Sequence, residues 1–96
     1  MTATDALRTE QAQVIALKML TFLAEDSERF GRFLAVTGVG PSDFRRRAGE
    51  PSFLAFVVDY LLADQSLLLA FAGNHDLDPQ TVVRIRRHLP GANDDF

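Results

Sequence analysis

The segment that opens at Pro51 and runs to Ala63 constrains this chain most. Phe53, Leu54, Phe56, Val57, Tyr60, Leu61 and Leu62 take up most of the circumference of a helix built from it. Only Ser52, Ala55, Asp59 and Ala63, three and four residues apart, leave a small or polar edge. A helix that is apolar nearly all round must be wrapped by other elements. With 96 residues the chain has the length of one domain, expected over 1–96 with an ordered part of about 4–90.

What wraps the central segment is also helical. A first helix is expected from near Thr4 or Asp5 to about Glu25. It carries a broad apolar stripe of Val14, Leu17, Phe22, Ile15, Met19 and Leu23. Asp26 or Ser27 caps a second helix holding Phe30, Phe33 and Leu34, because a short oxygen side chain accepts the first free N–H groups. Gly38 stops it, since glycine enters the left-handed region without a steric cost. Pro41 opens a short third helix to Arg47, and Pro51 opens the fourth; proline suits a first helical position, where its missing N–H would have had no partner. Asp64 caps a fifth helix with Leu67, Leu68, Leu69 and Phe71. Asp78 and Pro79 start a sixth, with Val82, Val83 and Ile85, ending at Leu89, Pro90 and Gly91. No segment alternates apolar and polar residues as a half-buried strand would. The expected fold is all-α, a compact bundle of five to six helices followed by an acidic tail, 91–96.

Shifted by 38 residues, the chain partly matches itself. Asp26 falls on Asp64, Phe33 on Phe71, Val39 on Leu77, Pro41 on Pro79 and Arg46 on Arg84. Each half then reads as a three-helix unit, two pseudo-repeats that bury their stripes against one another.

Several chemistries are excluded or disfavoured. There is no cysteine, so no disulfide, thiolate metal site or cysteine nucleophile exists. The glycines occur singly at helix stops, so no glycine-rich phosphate loop is present. Ser27, Ser42, Ser52 and Ser66 sit near helix starts and are accounted for as caps. His75, Asp76 and Asp78 share one turn, yet they lack the third acidic ligand, turn glycine and closing Glu of a calcium loop. Asp59 is the one carboxylate in unusual company, and its edge position calls for solvent or an arginine partner. We expect no catalytic, cofactor-binding or metal site and no enzyme activity. The longest apolar runs, 53–58 and 60–63, are split by Asp59 and are too short to span a membrane. The start of the chain lacks the basic-then-apolar order of a signal peptide, so a cytoplasmic setting is expected.

Two surfaces remain as candidates for binding. The apolar surplus of the fourth and fifth helices could form a groove for a partner protein or a homodimer face; Phe53, Phe56, Tyr60, Leu67, Leu68 and Phe71 would line it. The alternative is a nucleic-acid-associated surface built from Arg45, Arg46, Arg47, Arg84, Arg86 and Arg87, on the short third and sixth helices. Helix-dipole compensation is the favoured account of those arginines, and a net charge of −3 argues against a dedicated duplex binder.

The order of motifs resembles domain-of-unknown-function family 3572, a group of small bacterial proteins. The residues that carry the likeness are 20–24, 32–38, 53–55, 59–64 and 67–71, then Leu77, Asp78 and Pro79. The resemblance implies a stand-alone helical fold. It implies no activity and assigns no functional residue. The Asn74–His75 pair and the extra arginines depart from the Ala- and acid-rich family pattern.

Overall fold

The computed structural model describes residues 3–91, with side chains from residue 8 onward. The order is α1 (Ala3–Ala24), α2 (Ser27–Thr37), α3 (Pro41–Arg47), α4 (Pro51–Leu62), α5 (Gln65–Asn74) and α6 (Pro79–Ile85), then one 3-10 turn, Arg86–His88. The described residues hold no strand, so the fold is all-α.

The caps lie where the local chemistry puts them. Asp26 Oδ1 accepts hydrogen bonds from the N–H groups of Glu28 at 3.0 Å and Arg29 at 3.2 Å. Asp64 does the same for Leu67 at 3.1 Å, and Asp78 for Gln80 at 2.9 Å. Pro41, Pro51 and Pro79 each stand at a helix start. Replacing Asp26 or Asp64 by Ala is expected to cost about 1 kcal/mol each, because the first-turn N–H groups lose their acceptor. Chemical denaturation of the two variants checks this, and Asn at either position should recover most of the loss.

The 38-residue offset has a physical counterpart. Gly38 ends α2 at φ 76°, and Asp76, 38 positions later, holds φ 54° after α5. Asp is one of the few residues that tolerates this region, through its short polar side chain. Phe33 and Phe71 are both fully buried, and Phe44 and Val82 are both core residues. The halves differ in their first helix, 22 residues in α1 against 12 in α4.

The core lies between α1 and α4, the most extensively packed pair. On α1 it uses Ala12, Ala16, Met19 and Leu23, all fully buried. Here the expected stripe is corrected: Val14 is 49% exposed and Leu17 44%. Both sets recur at helical spacing. The small alanines let α4 approach α1 closely, which turns the other face outward. On α4 the wet edge is Ser52, Phe56, Asp59 and Ala63; Ala55 is buried and Phe56 takes its place. Aromatic rings close the α2 side. Phe33 meets Phe44, Phe56 and Tyr60 edge-on, with centroids 5.8, 6.3 and 4.9 Å away. Arg29 fastens α2 to α1, its guanidinium 3.8 Å above the Phe22 ring.

No single helix among the described residues is long and apolar enough to cross a membrane. The pair α4 and α5 reaches that length only together, and the two meet at 109°.

Candidate functional site

The structure removes half of the expected α4–α5 groove. Phe53 and Phe71 are fully buried and Leu68 nearly so. They are core residues because the long α1 and the α2–α3 arm cover the apolar surplus. Phe53 packs against Phe44 and Phe56, and Phe71 against Phe22 and His75. Phe56 remains exposed, while Tyr60 and Leu67 are half-buried. Those last two border a concavity between α2 and the α4–α5 corner, rimmed by Arg29, Arg32, Asp26 and Asp64.

The two arginine triplets are also divided. Arg46 pairs with Asp43 at 2.6 Å and Arg47 with Glu50 at 3.1 Å. Arg47 also sits over the Phe53 ring, 5.1 Å from its centroid. Arg86 turns inward, contrary to its expected place on a basic patch. Its Nε and Nη2 donate to Asp59 Oδ1 and Oδ2 at 2.6 and 3.0 Å. Its Nη1 donates to the carbonyls of Leu89 and Pro90 at 3.3 and 3.0 Å. Asp59 thus has the arginine partner that its edge position called for. Three of the six guanidiniums are neutralised, and Arg45, Arg84 and Arg87 are left exposed.

Arg84 and Arg87 do converge, with a residue that sequence reasoning did not single out. Together with Arg8 from α1 they line an open concavity of about 390 Å³, which His88, Gln11 and Thr81 complete. Among the described residues no carboxylate stands within ion-pair distance of Arg8, Arg84 or Arg87. Arg84 Nη2 donates to the Thr81 hydroxyl at 3.4 Å.

This basic concavity is one end of a longer groove. Gln11, Thr81 and Ile85 also line an adjoining depression of about 450 Å³, walled by Val14, Ile15 and Leu77. Val14 and Lys18 then lead into a third, bordered by Leu17, Thr21, Glu25 and His75. The three depressions share residues and form a single lane beside α1, flanked by α6 and the α5–α6 turn. Its middle is walled mainly by aliphatic side chains, with Glu10 and Lys18 at its rim. One end carries three arginines and the other Glu25. The residues come together because α1 runs along α6, as the packing of Leu77 and Ile85 beside the α1 core requires.

Nothing among the described side chains gathers for metal or acid–base chemistry. No group of three His, Asp or Glu is placed to hold a metal ion. None of the buried side chains among the described residues is polar or charged. His75, Asp76 and Asp78 act as helix stop and start, with Asp78 capping α6 and His75 closing α5.

No curated protein and no solved structure matches the chain. A family model does, over residues 9–92, and it is described as a protein of unknown function (DUF3572). The matched span takes in the middle of the lane, Arg84 of α6 and Arg87 of the 3-10 turn, with Arg8 just outside it. The match covers most of the chain and places it in one family: the chain belongs to DUF3572.

Proposed function

We propose that the chain is a small binding protein rather than a catalyst, and that it docks a helical segment in the lane beside α1. The observation that carries this reading is the outward exposure of Val14 and Leu17, 49% and 44%, on one face of a helix whose other face is wholly buried. Val14 borders Ile15, Leu77 and Ile85 in one depression and Leu17 in the next, and together they offer the apolar anchors that an amphipathic helix seeks at three- and four-residue spacing. The absence of cysteine accords with a cytoplasmic setting for such a protein. The nucleic-acid alternative is weaker, because ion pairs neutralise three of its six arginines and the phosphate contribution to affinity scales with free cations.

A photo-crosslinking amino acid placed at Leu17 should give discrete adducts in the native cell, lost on adding Val14→Asp. The same probe at Val36, which is 66% exposed on α2 and away from the lane, should give none. Equal labelling from both positions, or none from Leu17, would contradict the reading.

A further inference from the structure

We infer that Arg8, Arg84 and Arg87 form a binding site for the phosphate group of a small phosphorylated ligand. This is independent of the helix docking proposed above.

The three guanidiniums line one concavity of about 390 Å³, a volume in the range of small-ligand sites. From α1 come Arg8 and Gln11, about 60° apart round the helix at 100° per residue. From the other side of the groove, α6 and the 3-10 turn bring Thr81, Arg84, Arg87 and His88. The buried Ile85 completes the wall.

Two observations separate this group from scattered surface charge. The first is pairing. The chain has thirteen acidic residues for ten basic ones, and Arg46, Arg47 and Arg86 each take a carboxylate. Among the described residues none lies within ion-pair distance of Arg8, Arg84 or Arg87. Glu10 and Lys18, both exposed, line the adjoining depression instead and offset one another there. Glu10 stands about 160° round α1 from Arg8. Asp78, one turn before Thr81, accepts from the Gln80 N–H at 2.9 Å. The second observation is position. Dipole compensation accounts for Arg84 and Arg87 at the end of α6, but not for Arg8, which stands in the first half of α1.

The ligand class follows from the donors. A sphere of that volume is roughly 9 Å across, about one Debye length at physiological salt, so one anion is attracted by all three cations. A carboxylate has only two accepting oxygens. A phosphate monoester has three, and arginine forks engage them in pairs. Thr81 Oγ accepts from Arg84, which leaves its O–H to donate. The concavity exceeds the size of a phosphate group, so Ile85 and the His88 ring remain for the rest of the ligand.

NMR of the arginine Nε–H groups in the full chain, at about 0.15 M salt, tests this with inorganic pyrophosphate and phenyl phosphate. Arg8, Arg84 and Arg87 should shift together and saturate with one Kd of about 1 mM or tighter. Arg45 is equally exposed and has no carboxylate partner, and it should not saturate. Acetate at the same ionic strength should saturate none of them. Arg8→Gln and Arg87→Gln should each weaken binding about tenfold, and Arg45→Gln less than about twofold. All three positions are exposed, so helical circular dichroism should be unchanged. Equal behaviour at Arg45, an Arg8→Gln variant as harmless as Arg45→Gln, or acetate bound as tightly as phenyl phosphate would overturn the inference. So would a single-stranded oligonucleotide that binds more tightly than pyrophosphate and loses as much affinity with Arg45→Gln as with Arg8→Gln, because the ligand would then be a nucleic-acid backbone.

Discussion

Phe33→Ala should lower the unfolding free energy by about 3–5 kcal/mol, the range for truncating a fully buried phenylalanine. Phe33 is the only residue of α2 in the buried class. Its ring touches Phe44 of α3 and both Phe56 and Tyr60 of α4. Removing it opens a void where three helices meet, and edge-to-face contacts of about 0.5–1.5 kcal/mol each are lost along with the buried area. A domain of this size has a total stability of about 5–14 kcal/mol, so the variant should retain little margin. Its melting temperature should fall by about 15–30 °C. Phe33→Leu keeps most of the volume and should lose well under half as much. A thermal melt of the two variants decides it. A loss below about 1 kcal/mol for Phe33→Ala would show that α2 is held elsewhere.

The second large effect is expected at Arg86. Its side chain is 16% exposed, whereas its partner Asp59 is 54% exposed. The bidentate contact alone is therefore worth only about 1 kcal/mol, since water reaches the carboxylate. The carbonyls of Leu89 and Pro90 add to it, because they receive a charged donor at the point where the chain leaves the bundle. Arg86→Ala should cost about 2 kcal/mol in all. Arg86→Lys should recover less than half of that, as an ammonium cannot span two carboxylate oxygens and two carbonyls with a fixed fork. Asp59→Ala should cost less than Arg86→Ala. A double-mutant cycle between the two should return a coupling of about 1 kcal/mol. A coupling near zero would mean that the contact with Asp59 does not hold the 3-10 turn on α4.

These two residues also mark the boundary between what the sequence discloses and what only the fold decides. Starts and stops are local events. Asp26, Asp64 and Asp78 bond N–H groups two or three residues ahead, so their roles follow from their immediate neighbours. The starts of α2, α5 and α6 were legible for that reason, and those of α3 and α4 from Pro41 and Pro51. The outward face of α1 was not. Val14 and Leu17 repeat at the same period as Ala12, Ala16, Met19 and Leu23, and hydropathy favours the larger side chains for the core. The choice falls to the alanines because close approach of α4 buries more of both helices than a wider packing on Val14 and Leu17 would. Phe53, Leu68 and Phe71 looked like a surplus for the converse reason: the reach of α1 and of the α2–α3 arm over them is a tertiary fact.

The same holds for the charges. Arg84, Arg86 and Arg87 are equivalent in sequence, and only the packing of α6 on α4 brings Asp59, 27 residues away, to Arg86. Arg8 stands alone at the other end of the chain and carries no local signal. Its place beside Arg84 and Arg87 depends on α1 lying along α6.

The central claim is that the outer face of α1 around Val14 and Leu17 is a contact surface. Because the chain has no cysteine, it can be tested with one introduced thiol per chain. Leu17→Cys and Val36→Cys variants are each treated with a small thiol-alkylating reagent, in the native cell and as dilute purified protein, and the rates of modification are compared. A docked helix packs about 8–10 Å away and shields the side chains beneath it. Docking on α1 therefore predicts that modification at position 17 is clearly slower in the cell than in the purified protein, while modification at position 36 is not. Equal slowing at both positions, or none at position 17, would contradict it.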